Sequence, residues 1–275
     1  GQDGVTGNRF AASSVEFCVE EGPYALQMET ACPYEETVTM KVSAPQGGRM
    51  ALRIRIPSWL QANAVIRVNG RDAAEGQPGS YVLLDREWTQ GDTVSLALPM
   101  AFRTEAYTGE NRVPGCVRVA VLYGPLLMAM PIRAAEKCIR EDPIAPDYEA
   151  RPQSRWNFAL VAGGKLEYVP SRRESGFGAG EGPCVLARAV ELPGWKTRGA
   201  NCAPTPVEPA IAESHTHDVC LVPYGDTVLR IAQFPYAALG RDLGVESDAL
   251  PAETVRHMAA RIKKQLEMND EAKRS

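Results

Sequence analysis

Two runs, Thr37-Val38-Thr39-Met40-Lys41-Val42-Ser43 and Met50-Ala51-Leu52-Arg53-Ile54-Arg55-Ile56, with Pro45-Gln46-Gly47-Gly48 between them, decide the fold. In the first, Val38, Met40 and Val42 fall on one side and Thr39 and Lys41 on the other. In the second, Met50, Leu52, Ile54 and Ile56 alternate with Arg53 and Arg55. Successive side chains of an extended backbone leave on opposite faces, so this period-two pattern means a strand with one buried side. The Pro/Gly-rich stretch is a turn signal, and the two runs together predict a hairpin.

The same pattern extends outward in both directions. Val65–Asn69 ends in Asn69-Gly70, a dipeptide that tolerates the positive φ values of a tight hairpin turn. Tyr81–Leu84 and Thr93–Leu98 follow, punctuated by Gly91-Asp92, and Val15–Val19 and Tyr24–Thr30 precede as strands of the same sheet system. Short strands with polar turns predict an antiparallel sandwich or barrel. Residues 99–114, ending near Pro114-Gly115, read as a domain boundary.

A second β set begins at Val117. Val117–Tyr123 alternates, Gly124-Pro125 interrupts, and Leu126–Met130 is almost wholly apolar, as expected of a strand covered on both faces. Glu136–Ser154, polar and carrying Pro143, Pro146 and Pro152, reads as a loop. Trp156–Val161, Lys165–Val169, Val185–Leu192, Val219–Pro223 and Val228–Ala232 complete the set. Helix-period segments are lacking between these strands, which argues against a βαβ architecture. From Pro251 the pattern changes: Val255, Met258, Ala259, Ile262 and Leu266 share one helical face, predicting a C-terminal amphipathic helix docked on the body or on a second subunit.

Composition sets the outer limits. The chain has 275 residues, 44% hydrophobic and 23% charged, with a net charge of −4. That length suits two domains and buries enough surface to fold without staples. The acidic balance argues against a nucleic-acid partner, since phosphate contacts need a basic face. No run approaches the ~18–20 apolar residues of a membrane-spanning helix, and no signal peptide is visible at Gly1. The seven cysteines, Cys18, Cys32, Cys116, Cys138, Cys184, Cys202 and Cys220, are widely spaced and form no C-x-x-C. They read as free, mostly buried thiols, with a lean towards a reducing compartment that leaves localisation open.

Residues that could carry chemistry each have a plainer reading. His215-Thr216-His217-Asp218 resembles two metal ligands on one strand face, but no third partner is evident beyond Glu213, and a solvated loop is the better reading. There is no G-x-S-x-G elbow. Gly176-Phe177-Gly178-Ala179-Gly180-Glu181-Gly182 runs into Pro183 rather than a helix, so it reads as a surface loop and not a phosphate cradle. Glu20-Glu21 and Glu35-Glu36 are neighbouring carboxylates that face solvent; none is singled out as an acid/base pair. Of Trp59, Trp88, Trp156 and Trp195, the first two read as core and Trp195, in Pro193-Gly194-Trp195, as the exposed one.

Taken in order, Leu52-Arg53-Ile54-Arg55-Ile56-Pro57-Ser58-Trp59, Ile66-Arg67-Val68-Asn69-Gly70, Arg86-Glu87-Trp88, Gly91-Asp92-Thr93-Val94 and Leu96-Ala97-Leu98-Pro99-Met100 resemble the β-sandwich region that follows the catalytic barrel in glycoside hydrolase family 127, the β-L-arabinofuranosidase group. Val119–Leu126, Trp156–Leu160 and Leu221–Gly225 extend the resemblance, which spans roughly residues 24–240. The resemblance implies an active site in an N-terminal (α/α)6 barrel, with a cysteine nucleophile, a glutamate acid/base and a zinc held by cysteines and a glutamate. This chain shows no helical barrel and no Cys-Cys. Its Glu16-Phe17-Cys18 and Glu136-Lys137-Cys138 lie in strand or loop segments and read as coincidence. No catalytic residue, metal ligand or cofactor site is carried over, and no substrate-binding residue is singled out. The chain would begin about where the barrel ends.

The expected fold is all-β, two consecutive antiparallel β-sandwich domains (1–104 and 105–245) followed by a C-terminal α-helix and tail (246–275). The expected role is a non-catalytic accessory region that supports a separate catalytic barrel or a subunit contact, with no nucleic-acid or membrane partner. Such a region would show an exposed apolar patch on the first sandwich. Two other readings stay open. A carbohydrate-binding module predicts a row of exposed aromatics. An autonomous glycoside hydrolase predicts a site at the domain interface lined by carboxylates.

Overall fold

The computed structural model describes residues 4–20, 22–107, 117–170, 183–197, 210–212 and 216–239. The chain divides into two units, the first made of residues 1–101 with 123–125 and the second of 102–122 and 126 onward.

The first unit contains β1 (Gly4–Gly7), β2 (Ser13–Val19), β3 (Gly22–Thr30), β4 (Thr37–Ser43), β5 (Gly48–Arg55), β6 (Ala64–Val68), β7 (Arg71–Gly76), β8 (Tyr81–Trp88) and β9 (Thr93–Ala97). They form a six-stranded sheet, β2-β3-β4-β9-β6-β7, and a three-stranded sheet, β1-β5-β8. The alternation read from the sequence holds: Val38, Met40 and Val42 of β4 and Met50, Leu52 and Ile54 of β5 are all buried in one cluster with Ile66, Leu96 and Trp88. Their pairing differs from the expected hairpin. β4 lies between β3 and β9, whereas β5 lies between β1 and β8. The 44–47 turn therefore carries the chain from one sheet to the other, and the two apolar faces meet across the core. A period-two pattern says which side of a strand is buried, not which strand lies beside it.

Asn69-Gly70 joins β6 to β7 as a two-residue hairpin turn, with φ of 53° and 76° at the two positions. Both are in the left-handed region that this turn demands. β7 itself was not foreseen, because Arg71-Asp72-Ala73-Ala74-Glu75 has no apolar alternation. Inside the cluster the Trp88 indole Nε1–H donates to the Met50 carbonyl oxygen at 2.8 Å, so a fully buried ring keeps its one polar atom satisfied.

The second unit contains β10 (Phe102–Ala106), β11 (Arg118–Tyr123, its last residue belonging to the first unit), β12 (Leu126–Pro131), β13 (Ala134–Arg140), β14 (Asp147–Pro152), β15 (Phe158–Val161), β16 (Glu167–Val169), β17 (Cys184–Glu191), β18 (Ala210–Ala212), β19 (Thr216–Pro223), a 3₁₀ turn at Tyr224–Asp226, β20 (Arg230–Ile231) and β21 (Phe234–Leu239). Its main sheet runs β10-β11-β12-β19-β17-β15-β21-β18, and a further pairing of β11 with β21 closes it on itself. The expected second sandwich thus takes the form of a barrel-like closed sheet. Most pairings are antiparallel, but β1–β5, β15–β21 and β18–β21 are parallel. Met128, Ala129 and Met130 of β12 are buried in succession, as are all residues of β15, in keeping with strands covered on both faces.

Three expectations for this unit need correction or placement. Residues 136–154 are not a loop but largely the β13–β14 hairpin, whose turn is held by Asp142 Oδ1 accepting from the Ile144 and Ala145 N–H groups at 2.9 Å each. Both faces of this ribbon are largely exposed, so its sequence carries no alternation. Thr216-His217-Asp218 begins strand β19 rather than lying in a loop. The C-terminal amphipathic helix and tail, 246–275, lies outside the described residues.

Candidate functional site

Among the described residues, the candidate metal-binding and acid/base side chains form no metal group. Glu16 and Cys18 share the exposed face of β2, and Glu136 and Cys138 that of β13, where the Cys138 thiol donates to the Arg140 carbonyl at 3.3 Å. His217 stacks edge-on against Phe158, with ring centroids 5.7 Å apart, and its neighbour Asp218 sits 3.7 Å from the Arg188 guanidinium. Among the described residues no three His, Cys, Asp or Glu side chains come together as a metal group. Glu213, His215, Glu21, Cys116, Cys202 and the 176–182 glycine run lie outside the described residues.

Among the described residues, Glu36 is the candidate carboxylate with a built environment. Its Oε1 accepts from the Met100 N–H at 2.9 Å and from the Tyr123 hydroxyl at 3.4 Å, while its own carbonyl accepts from the Leu98 N–H at 2.7 Å. Burial first, then the Glu36 charge and the hydrogen bond to it, push the Tyr123 phenol above its ordinary value. These contacts fasten residues 123–125 to the end of β9. With its Oε1 lone pairs committed to structure, Glu36 acts as a tie between segments.

The tryptophans reverse one expectation. Trp195 is buried, 8% exposed, with its ring edge-on to Trp156 at 5.1 Å. Trp88 is in the core and Trp59 packs partly against it. The cysteines reverse another: Cys18, Cys138 and Cys220 are exposed and Cys32 and Cys184 half-buried. The expected apolar patch on the first unit also takes a different form. Among the described residues, its exposed large apolar side chains are Val15, apart on β2, and Tyr81 with Leu83 on β8, while Ile139, Ile144, Tyr148, Val169, Leu186, Tyr224 and Val228 belong to the second unit.

Sequence reasoning missed two groupings. One is the outward face of β5 and β8, where Arg53 stands opposite Leu83 and Arg55 opposite Tyr81. The other is the thiol pair Cys184 and Cys220, diagonal neighbours on one face of the paired strands β17 and β19. Both arise from strand register, which pairs residues far apart in the chain.

The comparisons with known proteins fit this geometry. The family model described as β-L-arabinofuranosidase, GH127 middle domain, matches residues 4–100, which is nearly the whole first unit. The fold of the chain is similar to that of a GH127 β-L-arabinofuranosidase from Geobacillus stearothermophilus T6, Ara127N-Se, at 20% identity and a TM-score of 0.55, covering 86% of this chain and 34% of that one. A structure described as a glycoside hydrolase gives 21% identity and a TM-score of 0.54, covering 86% and 36%. The GH127 β-arabinofuranosidase BT3674 gives 18% and 0.57, again covering 86% and 36%. No curated protein matches. The protein is therefore GH127-like, with the resemblance read from the sequence shown as a middle domain at residues 4–100 and as fold over most of the chain. It spans about a third of the length of those three structures.

Proposed function

We propose that the chain is the non-catalytic β-region of a GH127-like protein, one that supports a separate catalytic barrel or a subunit contact. The observation that carries this reading is the extent of the match. Most of this chain corresponds to only 34–36% of three glycoside hydrolase structures, and its matched domain is a middle one. The scatter of Glu16, Cys18, Glu136, Cys138 and His217 over separate surfaces supports it, because acid/base and nucleophilic chemistry needs groups within hydrogen-bond reach of one reacting atom. Fold alone licenses no activity. The relevant chemistry of the larger assembly is hydrolysis of L-arabinofuranosides.

The test is hydrolysis of aryl α- and β-L-arabinofuranosides by the purified chain, with and without added zinc. The expected result is no turnover above buffer in either condition. Turnover that disappears on replacing one glutamate or cysteine of this chain would overturn the reading.

A further inference from the structure

The outer face of the three-stranded sheet holds side chains that the sandwich does not use. Arg53 and Arg55 both point outward from β5, two residues apart and thus about 7 Å apart along the strand. Across the antiparallel register Leu83 stands opposite Arg53 and Tyr81 opposite Arg55, and these two are 52% and 53% exposed. On the other side of β5, Thr6 of β1 lies beside Arg53.

Two features make this more than an exposed strand face. The Tyr81 hydroxyl donates to Asn8 Oδ1 at 3.0 Å. Asn8 follows β1, and the strand order β1-β5-β8 puts β5 between the two residues. The hydrogen bond therefore crosses the middle strand and holds the phenol by its far end, while the side chain stays 53% exposed. The second feature is charge. Farther along the same face Arg49 is neutralised by two hydrogen bonds to Asp85, 2.9 Å each, whereas Arg53 and Arg55 have no carboxylate partner among the described residues. The end of the face that holds the pinned ring is thus cationic, on a chain of net charge −4.

A flat, pre-oriented aromatic ring offers an apolar plate at little entropic cost on binding. The C–H face of a sugar ring fits such a plate. Guanidinium groups beside it recognise carboxylates through paired N–H donors. We propose that this face of Arg53, Arg55, Tyr81 and Leu83 binds an acidic polysaccharide, one whose sugar rings carry carboxylates. The ring stacks on Tyr81 and the two arginines take the acid groups.

The experiment is affinity electrophoresis of the full chain through gels containing polygalacturonate, dextran or poly-L-glutamate, repeated with Tyr81→Ala and with Arg53→Gln/Arg55→Gln. These side chains are exposed, and circular dichroism checks that the variants keep the parent fold. Retardation by polygalacturonate is expected, with at least about tenfold weaker binding in either variant and a loss in about 0.5 M salt. No retardation overturns the proposal. So does retardation by dextran that matches polygalacturonate, which would leave the charge irrelevant. Equal retardation by poly-L-glutamate with no effect of Tyr81→Ala also overturns it, and assigns the face to an acidic protein surface instead. The test reads binding by this chain alone, so its outcome is separate from whether the chain hydrolyses anything.

Discussion

The Asn69 side-chain amide donates to Asp92 Oδ1 at 2.8 Å, fastening the β6–β7 turn to the turn between β8 and β9. Asp92 is the one buried charged side chain among the described residues. Its carboxylate also accepts from the Thr89 N–H at 3.0 Å and the Thr89 hydroxyl at 3.1 Å, with the Arg86 guanidinium 4.0 Å away. Asn69 Oδ1 in turn accepts from the Thr93 N–H at 2.9 Å. Burial pushes the Asp92 carboxyl up, but the hydrogen bonds from Thr89 and Asn69 and the Arg86 charge outweigh it and hold the group below its ordinary 3.8.

Asp92→Ala strands the Thr89 and Asn69 donors, and we expect it to cost about 2–3 kcal/mol in urea unfolding at neutral pH. The pH dependence has a definite sign. A carboxyl depressed in the folded state stabilises fully above its unfolded value and loses that contribution as pH falls through the folded value. Between about pH 5 and pH 2 the parent should lose stability more steeply than Asp92→Ala. Parallel profiles would remove Asp92 from the acid response.

Gly76 sits where a side chain has no room. A Cβ placed there would lie 2.4 Å from Ile56 Cγ1 and 2.9 Å from Val82 Cγ2, and Ile56 is fully buried. Gly76→Ala should destabilise by about 1–3 kcal/mol through overpacking. Adding Ile56→Ala should cost less than the sum of the two single changes, since it vacates the colliding atoms. Thermal unfolding of the singles and the double tests this, and strict additivity would contradict the contact.

Trp88→Phe retains a large apolar ring but removes the Nε1–H donated to the Met50 carbonyl. The expected loss is about 1–2 kcal/mol, against about 3–5 kcal/mol for Trp88→Ala, which also opens a cavity. Equal losses in the two variants would mean that packing at this site is already slack.

Cys220 is exposed, yet its surroundings disfavour the thiolate. Partial burial of its sulfur, then the hydrogen bond and charge of Cys184, push its thiol up to about 12. The thiolate is the species that reacts with alkylating agents, so iodoacetamide should label Cys220 slowly at neutral pH. Cys184→Ala removes two of the causes and should speed that labelling, as read by peptide mass mapping. An unchanged rate would show that the Cys184 sulfur does not govern its neighbour.

Burial was largely legible in the sequence, and adjacency was not. The alternation of Val38, Met40 and Val42 against Leu52, Ile54 and Ile56 named core residues directly, and Asn69-Gly70 named a turn. The same alternation could not show that β4 and β5 belong to opposite sheets. Nor could it show the polar ribbon β13–β14, which buries neither face and so leaves no periodic mark. Trp195 differs from its expectation because Pro193-Gly194 signals a turn, whereas the ring is buried and meets Trp156 of another segment edge-on. The Tyr81–Arg55 and Cys184–Cys220 groupings are products of register across strands, which single-strand patterns do not encode.

Residues 123–125 return to the first unit after the chain has entered the second, and Tyr123 reaches Glu36 while the Gly124 N–H donates to the Ala101 carbonyl. The first unit is therefore discontinuous in sequence. A fragment that stops near residue 101 would therefore lack the segment whose Tyr123 hydroxyl and Gly124 N–H close the sandwich onto Glu36 and Ala101.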